Sequence, residues 1–381
     1  MVEESQPLGG KIVTKPFLVL AVLAAVGVVL MLYRYLYGLG AVTNLSDGYP
    51  WGLWITYDVL VGTALGCGGY AMALLVYIFN RWEYHPLVRS AVLTSVFGYT
   101  LAGVAIFLDI GRYWNGYHLF LPWYVNFNSV LVEVALCIAA YVGILWLELA
   151  PTVLEGHQQS PKAMRARERL ERWLPVIVAL GILLPTMHQS SLGTLMIIAG
   201  YKLSPLWQTP LLPLLFLLSA ITMGFAVTVF ESILSSLAFK RPFETPMIAK
   251  VGGVMVWLIG VYLVIRLADL LLRGAPVFSS GFLSSMFILE NLLYIVPLVL
   301  LASPTNRANL RFLFVASSSL LLAGSLYRFN AFLVGYSAGP GWTYFPALPE
   351  IFITLSIVAL ELMGYLYFVK RYPVLPKAEH V

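Results

Sequence analysis

One stretch of the 381-residue chain, LLPTMHQSSLGTLM at 183–196, sets an ionisable ring and a row of hydroxyls inside a long apolar run. A histidine such as His188 accepts or releases a proton near neutral pH. Gln189, Ser190, Ser191 and Thr186 add donors and acceptors. Pro185 removes one backbone N–H and frees a carbonyl, and Gly193 permits close approach by a helix or a ligand. Such a set can hold a polar ligand and pass protons to it. It can equally be a kinked helix whose polar groups bond to its neighbours. Asp58, Glu133, Glu148, Glu231, Arg266, Asp269, Glu290, Arg328 and Glu361 also interrupt apolar runs. A charge at the centre of a membrane helix costs roughly 2.5–3.5 kcal/mol on insertion scales. These groups should therefore face an interior, pair, or line a water path. Arg266 and Asp269, three residues apart, could pair along one helix face.

The elements that must carry these residues follow from composition. The chain is 60% hydrophobic and 11% charged, with mean hydropathy +0.85. A soluble domain carries about 25% charged residues, so this surface must face lipid, and an all-α integral membrane fold is expected. About 20 apolar residues span a bilayer. The runs 16–37, 52–79, 87–108, 128–149, 174–199, 211–238, 250–272, 281–302, 311–333 and 349–370 satisfy that. The chain then divides into a tail (1–15), one transmembrane domain (16–370) and a second tail (371–381). Most of the 23 Lys and Arg fall at one set of helix ends, including the run KAMRARERLERW (162–173), read here as a charged loop. Arg34, Arg112, Lys202 and Arg273 fall at the alternate ends. This asymmetry predicts cytoplasmic termini and accounts for the net charge of +5 without nucleic-acid binding. The alternate loops, 43–54, 111–127, 201–210 and 335–350, are rich in Trp, Tyr and Pro. They read as an interfacial belt, a docking surface, or both.

An offset of four helices pairs Asp109 with Asp269, Glu133 with Glu290, and His188 with Arg328. It suggests two four-helix bundles, 52–199 and 211–333, flanked by 16–37 and 349–370. Counted by depth, Asp58, Glu133, His188, Arg266, Asp269, Glu290 and Arg328 lie in the outer half, with Asp109 and Arg112 at its edge. Glu148, Glu231 and Glu361 lie toward the middle and inner half. GCGGYAMA (66–73) reads as helix packing. Cys67 and Cys137 read as packed free thiols. No CxxC or Cys/His cluster is present to hold an iron–sulfur cluster or zinc. Of His85, His118, His157, His188 and His380, only His188 is well inside a span, which argues against a bis-histidine haem. A quinone suits an outer-leaflet polar niche, because its carbonyls want donors and its reduction needs protons; the electrons would come from a partner. A proton-coupled transporter and a purely structural anchor are the other readings.

Several stretches carry a resemblance: QPLGGKI (6–12), YPWGLW (49–54), VYIFNRWEYHPLVR (76–89), FGYTLAG (97–103), DIGRYWN (109–115), NSVLVE (128–133), LLPTMHQSSLGTLMI (183–197), AGYKLSPLWQ (199–208) and YFP (344–346). Together they resemble the HybB-type membrane subunits of nickel–iron hydrogenase type 2, in the NrfD/PsrC-like superfamily. The resemblance runs nearly end to end and implies a ten-helix, cofactor-poor subunit in a bacterial inner membrane. It further implies electrons received from an extracytoplasmic ferredoxin-like iron–sulfur subunit, fed by the hydrogenase small and large subunits, and passed to menaquinone or ubiquinone. On this reading the chain has no haem, no cluster and no hydrogenase active site of its own. His188, Gln189, Ser190, Glu133, Asp58 and Arg112 would shape the quinone site. Glu148, Glu231 and Glu361 would form a proton route.

Overall fold

The computed structural model describes residues 5–157, 160–275 and 281–375. Among them are ten helices long and apolar enough to cross a membrane: α1 (Lys15–Tyr37), α2 (Trp54–Ile78), α3 (Trp82–Asp109), α4 (Val130–Glu155), α5 (Pro161–Lys202), α6 (Leu212–Phe239), α7 (Thr245–Arg273), α8 (Phe282–Ala302), α9 (Leu310–Val334) and α10 (Leu348–Arg371). Each expected span has its helix. The fold is all-α and integral to the membrane. Of the expected tails, residues 1–4 and 376–381, Lys377 among them, lie outside the described residues.

The run at 162–173 corrects an expectation. It is not a loop but the first turns of α5. Ser160 accepts a bond from Ala163 N, and Pro161 sits in the first turn, where its missing N–H leaves no helical bond unmade. Arg167 and Glu171 then pair at i,i+4 (2.7 Å).

Packing follows membrane rules. On α1 only Ala24, Gly27 and Arg34 are buried, while Val19 and Leu36 are 68% and 79% exposed. Apolar side chains turn outward because lipid is as apolar as a protein core. Small residues turn inward because close backbone approach supplies the contact. A Cβ on Gly27 would lie 2.0 Å from Ser356 Cβ, and Ser356 donates to Ala24 O (3.1 Å), which fastens α1 to α10. Leu8 N donates to Val369 O (3.0 Å), so both described chain ends share one face. We call it the basic face, and the opposite one the aromatic face.

α2 and α6 are the most enclosed helices. Gly224 of α6 sits against the α2 backbone, where an added Cβ would be 2.4 Å from Cys67 O. The GCGGYAMA stretch is therefore helix packing, as read. α2 is irregular: it carries π turns at Trp54–Val61 and Leu74–Ile78 and breaks between Leu65 and Gly68. Wide turns of this kind re-aim side chains and concentrate at functional sites. Around this pair, α3 packs on α4, α4 on α5, α5 on α6, α7 on α6 and α8, and α9 on α6 and α8. α10 lies against α3.

Candidate functional site

His188 is fully buried where α2, α3, α5 and α9 bring polar side chains together. Its Nδ1 lies 2.8 Å from Leu184 O, and its Nε2 2.8 Å from the Tyr99 hydroxyl. A carbonyl can only accept, so Nδ1 carries the proton of the neutral ring. Nε2 then accepts from Tyr99, and it is the one atom at which a further proton can be added. Gln189 extends the network, donating to Thr63 Oγ1 (3.0 Å) and to the Tyr99 hydroxyl (3.4 Å) and accepting from Arg328 (3.4 Å). Arg328 also donates to Ser219 Oγ (3.2 Å) and Gly324 O (3.1 Å) and lies over the Phe216 ring at 5.4 Å. The Tyr99 and Tyr141 rings meet edge to face at 4.5 Å. The sequence allowed either a polar niche for a ligand or a kinked helix whose polar groups bond its neighbours. Here His188 and Gln189 are closed into a hydrogen-bonded core, as in the second arrangement, because each polar group in lipid needs a protein partner.

A second buried cluster joins α7, α8 and α9. Arg266 donates to Glu290 (2.9 Å), whose other oxygen accepts from Trp207 Nε1 and Asn330 Nδ2, both at 2.8 Å. Arg266 does not pair with Asp269. That carboxylate faces the 203–211 segment and takes Arg273 (2.7 Å) and the Thr209 hydroxyl (2.8 Å). The Tyr262 and Tyr294 rings lie 4.5 Å apart, and Tyr327 packs 6.0 Å from Tyr262. None of the three hydroxyls has a hydrogen-bond partner among the described residues.

The remaining expected site residues disperse. Glu133 accepts from Ser191 (2.8 Å), one turn from His188. Ser190 turns back onto its own helix at Met187 O (2.7 Å). Asp58 stands on the α10 side of α2 and accepts from Thr354 (2.8 Å). Arg112 lines a cavity of about 610 Å³ between α3, α4 and segment 111–125, on the aromatic face. The three inner acids divide between two cavities near the basic face. Glu148 lines one of about 160 Å³ that also holds Arg89, Glu155 and Arg167. Glu231 and Glu361 line another of about 320 Å³ between α3, α6 and α10. There Glu231 accepts from Thr94 and Tyr365, both at 2.7 Å.

Three residues escaped the sequence reading. Tyr99 and Tyr141 look like ordinary apolar-run tyrosines, and only the packing brings them to His188. Glu350, at the third position of α10, ties the aromatic face together: it accepts from Asn44 N (2.8 Å), Ala347 N (2.9 Å) and the Tyr344 hydroxyl (2.5 Å). Tyr344 in turn accepts from Leu53 N (2.7 Å). Burial, then the Glu350 carboxylate it bonds, push the Tyr344 phenol well above its usual range. An acid three residues after Ala347 matches a capping position and was a usable signal. Beyond this knot Trp114, Trp123, Tyr201 and Phe345 stand exposed on the same face.

The family described as polysulphide reductase, NrfD, matches residues 41–338. The chain belongs to the NrfD family. It is 42% identical to an Escherichia coli K12 protein named "Probable Ni/Fe-hydrogenase 2 b-type cytochrome subunit", over 99% of this chain and 96% of that one. It is 31% identical to the Nitratidesulfovibrio vulgaris "Menaquinone reductase, integral membrane subunit", over 71% of this chain and 69% of the relative. This NrfD-family chain is thus a multi-pass membrane protein related to hydrogenase-2 and quinone-reductase subunits, as the resemblance implied.

The word cytochrome in the first relative's name prompts a test of the donor set. Both His188 nitrogens are engaged, and no second imidazole joins it among the described residues: His85 stacks on Trp82, His118 on Tyr124, and His157 follows α4. These residues do not fit a bis-histidine haem. Among the described residues no three His, Cys, Asp or Glu side chains gather as a metal ion would require. Cys67 and Cys137 are buried free thiols.

Proposed function

We propose that this NrfD-family subunit sits in the bacterial inner membrane, takes electrons from an iron–sulfur partner of a hydrogenase complex and delivers them to menaquinone or ubiquinone. The single observation carrying this reading is the His188–Tyr99–Gln189 network, which holds one neutral, protonatable nitrogen inside the helical bundle. Its likeness to subunits named for hydrogenase 2 and menaquinone reductase supports the substrate. A ferredoxin-like subunit would dock on the exposed aromatic face, with the hydrogenase small and large subunits beyond it. The charge asymmetry supports a cytoplasmic basic face. Two four-helix units, α2–α5 and α6–α9, are the arrangement we favour, supported by matching neighbours in each half.

His188 Nε2 takes or yields the proton, and Tyr99 relays it by reversing its hydrogen bond. Gln189 orients Tyr99, Arg328 holds Gln189, and Glu133 sits one turn away through Ser191. Ser190, Asp58 and Arg112, the other residues expected at the quinone, stand apart from this network, and of the three only Arg112 lines the cavity of about 610 Å³. Glu148, Glu231 and Glu361 take up protons from the basic face along two separate cavities rather than one route. A charge crossing the membrane is worth about 2.3 kcal/mol per 100 mV, so coupling these acids to quinone chemistry would store energy.

The test is hydrogen-dependent quinone reduction by the assembled complex in vesicles. His188→Ala and Glu133→Gln should each lower the rate at least about tenfold, as loss of a proton-transfer group does, while the partner subunits still co-purify. Full rates in both variants would remove the site. Uptake of a solute by the chain alone, with no co-purifying iron–sulfur subunit, would favour a transporter.

A further inference from the structure

The cavity beside Arg112 is absorbed by neither the His188 network nor the acids. We propose that this chamber, between α3 and α4 beneath the strap 111–125, holds the quinone ring; the inference rests on the quinone reading above. About 610 Å³ is the size of a small-molecule site, for which the usual range is roughly 300–1,000 Å³. The walls are apolar, with Phe107 and Ile138 among them, and Phe107 and Ala139 are exposed toward lipid. A hydrophobic quinone arriving from the bilayer would meet this opening without crossing water.

Polar groups stand at its two ends. On α3 the Thr100 hydroxyl accepts from Trp146 Nε1 (3.1 Å), leaving its own hydrogen to donate. On the strap stand Asn115, His118 and Arg112, the last without an ion pair or side-chain hydrogen bond among the described residues. Donors from α3 and from the strap are thus both available to the carbonyls of a quinone. The strap is braced for this: His118 stacks on Tyr124 at 3.8 Å and 10°. A Cβ on Gly116 would come within 2.7 Å of Phe107 Cε1, so the strap rests directly on α3.

The chamber also borders the proton-handling core. Thr100 follows Tyr99 in the chain, and Ile138 and Val142 bracket Tyr141. The Tyr99 and Tyr141 rings in turn lie 5.3 and 6.1 Å from the His188 ring. The geometry separates two tasks, a lipid-accessible ring seat and a sealed proton relay behind it.

Gly103 allows a clean test, since a Cβ there meets nothing within 4 Å and the residue lines the chamber. Gly103→Leu and Ala139→Phe in the full complex should fill the seat without disturbing assembly. The expected result is a rise in KM for quinone of about tenfold or more with recovery of the partner subunits unchanged. An azidoquinone should photolabel the 111–125 peptide in the wild type and lose that label in both variants. Unaltered KM with labelling elsewhere in the chain would overturn the chamber while leaving quinone reduction intact. So would displacement of the label by phospholipid alone, which would make the cavity a lipid seat. No quinone reduction and no label in the wild type would overturn the functional reading itself.

Discussion

The two halves of this molecule answer the same physical problem differently. In each, two tyrosines on adjacent helices meet at 4.5 Å, Tyr99 with Tyr141 and Tyr262 with Tyr294, beside a polar residue of the next helix. Around the second pair the charges are full and balanced: Arg266 holds Glu290, which Trp207 and Asn330 also bond. Around the first pair the groups at the histidine are a neutral imidazole, a phenol and an amide, with the Arg328 guanidinium reached only through Gln189 and a ligand-sized cavity lined by neighbouring residues. A buried ion pair is costly to break, because the partner left behind is an uncompensated charge. A chain of neutral hydrogen bonds can reverse direction at small cost. On the function proposed above, the second cluster serves stability and the first serves chemistry.

The largest effect that could break this contrast lies at Glu290. Glu290→Gln leaves the Arg266 charge buried and uncompensated, and breaking such a pair costs about 3–5 kcal/mol. The chain should fail to accumulate, whereas the double variant Arg266→Met/Glu290→Met should recover most of the lost yield. Normal accumulation of the single variant with lost quinone reduction would move chemistry into the second half.

Next comes the seam between the halves. Gly224→Val forces a Cβ to within 2.4 Å of Cys67 O. Overpacking of this kind costs about 1–3 kcal/mol, and detergent-purified protein should melt several degrees lower. An unchanged melting temperature would mean that α2 and α6 slide freely and that the halves are not rigidly joined.

A smaller stability change sharpens the contrast further. Tyr99→Phe removes the buried hydrogen bonds to His188 and from Gln189, each worth about 0.5–1.5 kcal/mol, so assembly should survive. Quinone turnover should nevertheless fall by at least about tenfold if Tyr99 relays protons. The matching change Tyr262→Phe removes a hydroxyl with no hydrogen-bond partner among the described residues, and turnover should hold. Equal losses in both variants would erase the difference between the halves. Smallest of all, Glu83→Gln breaks the exposed Lys250 pair (3.1 Å) on the basic face, and neither melting nor turnover should move.

Much of this was legible beforehand, for identifiable reasons. Hydropathy locates helices in lipid because each span must satisfy its own backbone, so ten apolar runs became ten helices. The charged run at 162–173 misled because charge density alone cannot tell a loop from a helix projecting past the membrane. His188 was visible as a polar residue in an apolar run. Its partners were not, since Tyr99 lies 89 residues away and Arg328 contacts Gln189 across 139. The same limit hid the pairing of Arg266 with Glu290, where spacing along one helix suggested Asp269.

By itself, the order of amino acids determined an all-helical membrane protein with polar groups at chosen depths, because insertion free energy is summed locally along each segment. Only the tertiary structure decided which of those groups meet, which cavity borders them and which charges cancel. Those outcomes depend on the rotation and close approach of helices far apart in the chain, set by contacts such as Gly224 on Cys67, where the small residues are visible locally but the partner they meet is not.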